Sequence, residues 1–498
     1  MSSPLVIGLS GAHRGGTAAL VRDGRLLAVC DEERITRSRS PGLLATGLPR
    51  DTIAAAAHAA GLADPRGATI VVAEPALLAL DAAWPVVDHH RAHAVTASAG
   101  APDGAIVLVC DRAAPALSLW RATADGVSPI ASGWRGPGFA DVYADLARAM
   151  GFTPRDEYKV EALARVGRPH APERAAALVS LGDDGLRVDP AFVERVAAWV
   201  AEAPAHERTP HLVAVAAALQ DHLAALVVAW LVRVAGLADD VCLGGGLFHN
   251  TAFTTAVARA LPSSRVRVPV DPGNAGVAAG AALLHAGHPR PAAPSPFLGP
   301  NADRATTKAT LDNCKLSYDY DHAGATLARV IDALGQGRLV GWFEGRMEWG
   351  RRALGHRTTL ASPVAPYILE NLNGFLKRRD PHVAYGLAVC EEDLDRYFEG
   401  PAGSAFMQFE YTVRDPELFR AALPAGARSV RVQTVGAEPT GLRRVLKAVG
   451  EAGRPPVVVN TSFNAYREPI VCTPRDAIRA FYGTGLDLLV MEGFVLSK

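Results

Sequence analysis

Residues 8–20 read GLSGAHRGGTAAL, and their glycines fall where the apolar run PLVIGLS ends. A buried strand that stops on glycine leaves backbone amides bare of side chains, so a phosphate or an adenine can approach them closely. The same construction recurs at residues 242–250, CLGGGLFHN, after the start of the run DVCLGGG. Neither stretch has the spacing of a P-loop or of a dinucleotide fingerprint, and either one alone reads more readily as a structural turn. Around them, strand-like runs such as ATIVVAE and AIVLVCD alternate with alanine-rich segments of helical period, DTIAAAAHAAGLA and HLVAVAAALQDHLAALVVAWLVRVAG. That alternation predicts α/β architecture. Within it, AALVRDGRLLAVCDEE predicts a β-hairpin turning at Asp23 and Gly24.

The chain has 498 residues, too many for one ordinary core. The clearest punctuation is HPRPAAPSPFLGP at 288–300, where five prolines in thirteen residues continue neither a helix nor a central strand. The expected organisation is therefore a domain over 1–287, a Pro-rich linker over 288–303 and a second domain over 304–498. In the second, AGATLARVIDALGQG predicts a helix, RLVGWFEG and PPVVVNTSF predict strands, and TPRDAIRAFYGTG predicts a helix capped by Thr473 with Pro474 at its first position. No internal repeat and no heptads are visible.

Composition excludes several functions. Lys plus Arg equals Asp plus Glu at 51 each, so no global field draws in nucleic acid or an anionic membrane. The six cysteines are scattered without a CxxC pair and read as reduced core residues. The start MSSPLVIGLSGAHRGG lacks a signal peptide's basic and apolar stretches, and LAALVVAWLV, stopped by Arg233, reads as too short to span a bilayer. The expectation is a soluble, cytoplasmic protein.

A separate cluster lies in VVDHHRAHAVTASAG, residues 86–100. If a strand ends at Val87 and a helix starts near Asp88, His89 and His93 share one helical face with His90 beside them, which is metal-ligand spacing. An Asp-capped helix with solvent-facing imidazoles fits the same residues, and both readings stay open here.

The two glycine turns, taken with IVLVCDRAAPALSLW, resemble the separate nucleotide loops of the fold shared by actin, sugar kinases and heat-shock ATPases. Longer motifs carry a more specific resemblance. HRGGTAALVRDGRLLAVCDEERITR, HHRAHA, EYKVEALARVG, GGGLFHN, GWFEGRMEWGRRALGHRTTLASP, LNGFLKRRDP, RVQTV and VVVNTSFNAYREPIVCTPRDAI resemble, in collinear order from about residue 4 to Lys498, the nodulation and antibiotic carbamoyltransferase family. The resemblance implies an actin-like, duplicated α/β first domain, similar to the metal ATPase of the tRNA threonylcarbamoyl pathway. It implies a second α/β domain similar to the synthase of the corresponding adenylate. It further implies that the second domain makes carbamoyl adenylate from carbamoyl phosphate and ATP with Mg2+. The first domain would then transfer the carbamoyl group to a hydroxyl, or an amine, of a small-molecule natural product at an iron site.

Two polyanionic substrates call for several cations and few acids. GRMEWGRRALGHR offers Arg346, Arg351, Arg352 and Arg357, LKRRD adds Lys377 and Arg379, and RVQTV adds Arg431. Matched to the family motifs, Arg352, Lys377 and Arg431 are expected to bind phosphate and the carbamoyl group, with Arg346, Arg357 and Arg379 as further substrate contacts. Ser462 and Asn464 of NTSFN match the nucleotide-contacting pair, joined by Gly244, Gly245, Gly246 and Asn250. His89, His93 and Asp111 match the metal ligands, which suit Fe2+ or another divalent ion. His13 is the candidate base for the acceptor hydroxyl. The stretch GPGFADVYADLARAMGF offers Gly136, Phe139 and Tyr143 as an acceptor lining, or simply a packed helix.

The chain also departs from the family pattern. Asn274 stands where a metal-binding Asp is expected, with Asp271 three residues earlier as a substitute; Arg14 replaces an acid beside His13; Val383 replaces an arginine; Glu161 and Ala162 replace Met and Gly. These changes keep two other readings open: the same scaffold used for another acyl or adenylyl transfer, and a catalytically impaired partner protein. The acceptor is not named by the sequence, and a homodimer stays open as the commonest closed assembly.

Overall fold

The strands of the first half fall into two sheets. The computed structural model describes residues 3–498 except 132, 155, 205, 237 and 321–323. The first sheet holds β1 (Val6–Ser10), β2 (Thr17–Arg22), β3 (Arg25–Asp31) and β4 (Thr69–Val72) in the order β3-β2-β1-β4. The second holds β5 (Ile106–Cys110), β6 (Leu117–Thr123) and β7 (Gly126–Ile130). After a small hairpin of β8 (Val179–Leu181) and β9 (Leu186–Val188), it is completed by β10 (Asp240–Gly244) and β11 (Arg265–Arg267), in the order β11-β10-β5-β6-β7. In each sheet an antiparallel meander is followed by a strand added in parallel beside its first member: β4 on β1, and β10 on β5. The parallel bridge from Val72 to Val86 extends the first sheet as β11 extends the second. The first domain is thus a duplicated α/β unit of the kind the sequence resemblance implies, although no repeat is visible in the residues themselves. The predicted hairpin is β2–β3, with Asp23 at φ 50° and Gly24 at φ 70° giving the left-handed pair that a two-residue turn requires.

The second half is built on one mixed sheet of ten strands. These are β12 (Asp319–Tyr320), β13 (Val340–Phe343), β14 (Arg357–Ala361), β15 (Gly386–Cys390), β16 (Phe398–Glu399), β17 (Glu410–Val413), β18 (Val430–Val435), β19 (Val457–Ser462), β20 (Leu488–Met491) and β21 (Phe494–Ser497). Their order is β12-β21-β20-β13-β14-β19-β15-β18-β17-β16. Helix Pro474–Tyr482 begins as predicted, the Thr473 hydroxyl accepting from Asp476 N and the Asp476 carboxylate answering from below. The other predicted helix runs Ala325–Gly335; residue 323 of that reading lies outside the described residues.

Residues 288–303 form no helix or strand, in keeping with the prolines. They run as a strap between β3 and the loop 346–356. Leu298 O accepts from Val29 N and from Arg346 Nη2, Pro300 O accepts from Met347 N, and Ser295 O accepts from Trp349 Nε1. His356 stacks on Phe297 at 3.6 Å between ring centroids. One buried apolar cluster includes Phe253 and Val257 of the first half together with Phe409 and Tyr411 of the second.

The expected apolar segment at Leu223 needs correcting. It belongs to a helix of 28 residues, Arg208–Ala235, which passes through Arg233 and is long and apolar enough to cross a membrane. The helical period simply continues past one charge at its exposed edge. Half of its most apolar window is buried inside the protein, where it packs on helices Glu157–Val166 and Thr251–Ala260. All six cysteines are free.

Candidate active site

Helix His89–Ala97 starts where the sequence placed it, with Asp88 as N-cap accepting from Arg91 N at 2.6 Å. His89 and His93 project from one face toward Asp111 at the end of β5. His89 Nε2 lies 3.8 Å and His93 Nε2 3.5 Å from the carboxylate, and the ligand atoms of the three residues fall within 4.8 Å of one another. The ring nitrogens of both histidines are buried and have no hydrogen-bond partner. Burial alone would raise the Asp111 carboxyl, but the two imidazoles outweigh it and hold the group well below the usual carboxylate range. His90 is not part of this set. Its Nδ1 faces Ser118 Oγ at 2.7 Å and its Nε2 faces Ala113 O at 3.1 Å, and burial pushes its pKa down to about 4. Two imidazoles whose buried nitrogens have no partner among the described residues, facing a carboxylate, could hold a divalent cation, whereas a capped helix with solvent-facing histidines would leave them wet.

The Asn274 amide nitrogen donates to Arg14 O at 2.7 Å and so ties the first glycine loop to helix Asn274–His285. Asp271 is buried near the cluster, but its carboxylate accepts from Gly273 N at 2.8 Å and faces His249 Nε2 at 3.7 Å. Burial raises its pKa, against the opposing pull of Arg351.

The glycine loops work differently from the sequence reading. In the first, Gly11 N and Ala12 N donate to the Glu74 carboxylate at 2.5 and 3.0 Å, while Gly15 N and Gly16 N donate to Ser40 O and Pro41 O. These four amides are already occupied by internal acceptors. Sequence reading misses this, because Glu74 comes from just beyond β4, more than sixty residues away. His13 is exposed on the same loop, pinned by Gly42, whose missing Cβ would fall 2.2 Å from His13 C. In the second loop, Gly246 N donates to Asp111 Oδ2 at 2.8 Å and fixes the carboxylate. A Cβ on Gly245 would lie 2.0 Å from Cys110 O and one on Gly244 3.3 Å from His93 O, so these glycines let β5, β10 and the histidine helix close on one another. Asn250 caps helix Thr251–Ala260 and its amide donates to Gln220. Of the four residues expected to contact nucleotide, the three glycines therefore frame the cluster, while Asn250 serves the helix it caps. The acceptor lining also resolves: Phe139 and Tyr143 are buried core residues of a packed helix, and only Gly136 is exposed.

In the second half, Glu348 organises GRMEWGRRALGHR. Its Oε1 accepts from Leu354 N, His356 N and Arg357 N at 2.7–3.0 Å, curling the loop around one carboxylate. The four arginines then diverge. Arg346 is turned to the carbonyls of Leu27, Leu298 and Gly299, and Arg357 is fully buried on Phe343 with its guanidinium on the carbonyls of Glu344 and Gly345. Both guanidiniums are turned to backbone carbonyls and support the loop. Arg351 and Arg352 point the other way, toward the first domain. Arg351 acts on Asp271 and His249, and Arg352 Nη2 donates to His249 O at 2.9 Å. His249 was missed in the sequence. Burial, then the two arginines, hold it well below the usual histidine range.

Lys377, Ser462 and Asn464 come together as expected. Lys377 Nζ donates to Ser462 O and to Asn464 Oδ1, and Ser462 Oγ donates to the same Asn464 oxygen at 2.7 Å. Among the described residues no carboxylate lies within 4.0 Å of this ammonium; burial, then the charge of Arg379, holds it well below the usual lysine range. Arg379 is half-buried beside Tyr385, while Val383 is buried and accepts from Asn373 through its carbonyl.

Arg431 lies on β18, at the junction of the two halves. It faces Glu161 of helix Glu157–Val166 at 3.5 Å. Arg165 bridges Glu161 at 2.8 Å and Glu410 at 2.6 Å, and Thr251 Oγ lies 2.8 and 2.7 Å from the same two carboxylates. Burial, then Arg352, pulls Arg431 down to about 9. A line of polar side chains thus runs from His93 through His249, Arg352 and Arg431 across the junction.

Residues 331–498 match the family model described as carbamoyltransferase C-terminus. The chain is 29% identical over 435 residues to the nodulation protein NolO of Bradyrhizobium diazoefficiens, covering 83% of this chain and 79% of that protein. It is 27% identical to the nodulation protein NolNO of Sinorhizobium fredii over 97% of this chain and 79% of that protein. A 3'-hydroxymethylcephem-O-carbamoyltransferase of Streptomyces clavuligerus is 32% identical over 165 residues, 33% of this chain and 30% of that protein. Residues 331–498 are a carbamoyltransferase C-terminal domain, and over most of its length the chain is similar to the nodulation proteins NolO and NolNO.

Proposed function

We propose that the chain is an ATP-dependent carbamoyltransferase working in two steps. In the second domain, over 304–498, carbamoyl phosphate, ATP and one water give carbamoyl adenylate, phosphate and pyrophosphate. In the first, over 1–287, an acceptor hydroxyl or amine of a small molecule takes the carbamoyl group and AMP leaves. The observation that carries the reading is Lys377: a buried amine surrounded by neutral oxygens and no counter-ion. Such a group is a cation in search of an anion, and a bound phosphate restores its charge. Ser462 and Asn464 orient it, while Arg352 and Arg431 neutralise charge developing on the adenylate.

His89, His93 and Asp111 would hold a divalent ion, Fe2+ in the first instance, whose Lewis acidity polarises the group being transferred. The buried, unpartnered ring nitrogens fit that role. Gly246 N–H fixes the carboxylate that faces both imidazoles. His13, exposed on a pinned loop, takes the acceptor's proton.

The test is to supply purified protein with ATP, Mg2+ and carbamoyl phosphate, with and without ferrous ion, and to follow pyrophosphate and carbamoyl adenylate. Both are expected to form. ATP binding without either product would transfer the assignment to a different acyl donor or to a non-catalytic partner. His93→Ala is expected to lose bound divalent metal and keep pyrophosphate formation, as read by metal analysis beside the same assay. Metal retained at the wild-type stoichiometry would count against the ligand assignment.

A further inference from the structure

The junction cluster has an internal carboxylate on the face where an anion is expected. Glu161 is 5% exposed, accepts from Arg165 and lies 3.5 Å from Arg431. Three guanidiniums, Arg165, Arg352 and Arg431, meet two carboxylates, Glu161 and Glu410, which leaves a surplus of one positive charge. The other groups around Glu161 are Thr251 and the Tyr143 phenol, both uncharged. Arg351, behind Arg352, is matched by Asp271. Arg165 is bracketed by both carboxylates through its Nη2, so the surplus resides on Arg352 and Arg431.

We infer that Glu161 sets the charge of the ligand at this cluster: the Arg352–Arg431 pair receives a monoanion and discriminates against a dianion. Burying a dianion opposite one surplus charge leaves a negative charge uncompensated in a desolvated site, whereas a monoanion is matched. The inference rests on the carbamoyltransferase reading for its meaning. On that reading the group seated here is a carbamate or the phosphodiester of the adenylate. The dianionic phosphate of carbamoyl phosphate falls instead to Lys377 with Arg379 beside it, two cations without a carboxylate on the Lys377 ammonium among the described residues.

The test uses a tetrahedral pair of nearly equal size, sulfamate as monoanion and sulfate as dianion, titrated calorimetrically into the full chain at pH 7.5. Wild-type protein is expected to bind sulfamate more tightly. Glu161→Gln, which keeps the shape and the Thr251 contact, and Glu161→Met are each expected to tighten sulfate by about tenfold or more and reverse the preference. Arg431→Gln is expected to lose sulfamate binding. Sulfate preferred by the wild type, sulfamate binding untouched by Arg431→Gln, or a sulfate affinity unmoved by Glu161→Gln would each overturn the inference. The wild-type ratio decides even if a variant fails to fold. Pyrophosphate formation is a separate readout: its absence sinks the carbamoyltransferase reading without touching charge selectivity, and the converse holds equally.

Discussion

Lys377→Ala is expected to cut pyrophosphate formation by about three orders of magnitude, the scale of losing one preorganised electrostatic group in a water-excluded site. The same residue is expected to be a stability liability when no anion is bound. Its Nζ is desolvated, held by neutral oxygens of Ser462 and Asn464, and its pKa is depressed far below that of an unfolded lysine. Between the folded and the unfolded pKa, the unfolded chain carries a proton that the folded chain does not, so stability rises with pH across that window. Lys377→Met, which fills the same volume without a titrating group, is expected to flatten that slope and to raise the denaturation midpoint below the window's upper end. Pyrophosphate release and denaturant melts from pH 7 to 10 check both statements. A steep slope that survives in the methionine variant would show that the slope comes from another group.

Arg165→Ala is expected to destabilise the protein by about 3–5 kcal/mol, the cost of leaving buried charges without their partner. Arg165 is buried between Glu161 at 2.8 Å and Glu410 at 2.6 Å, and these come from different halves of the chain, so the variant strands Glu410 and leaves Glu161 with Arg431 alone. Burial would raise the Glu410 carboxyl, but Arg165 outweighs it and holds the group at about 2, against 4.5 in the unfolded chain. Its contribution is therefore full above about pH 4.5 and lost as the pH falls toward 2. In Arg165→Ala that acid dependence is expected to disappear. Adding Glu410→Gln to the alanine variant is expected to recover part of the loss, which a double-mutant cycle in denaturant measures directly.

What local sequence rules govern was legible. The Asp23–Gly24 turn, the Asp88 and Thr473 caps, the helical face shared by His89 and His93, and the proline strap all follow from chemistry within a few residues. The convergence of Lys377 with Ser462 and Asn464 was legible through motif resemblance. What failed depends on partners distant in sequence. Arg346, Arg351, Arg352 and Arg357 look alike in one glycine-rich stretch, and only the carbonyls of Leu27, Leu298, Glu344 and Gly345 separate the supports from the pair facing the junction. Glu74 filling the first glycine loop, and Glu161 answering Arg431, are equally invisible without the fold. The duplication of the first domain is carried by strand order, which unrelated residues satisfy equally well.

The proline strap bears on how a labile product moves. Its carbonyls at Ser295, Leu298 and Pro300 are bound by residues of both halves, and Arg37 of the first half reaches Pro469 O and Ile470 O of the second. These bonds oppose a swivel at the strap. Handover between the two chemistries would then go by diffusion across a fixed gap, with the intermediate's survival set by the width of that passage and its exclusion of water rather than by the speed of an opening and closing motion.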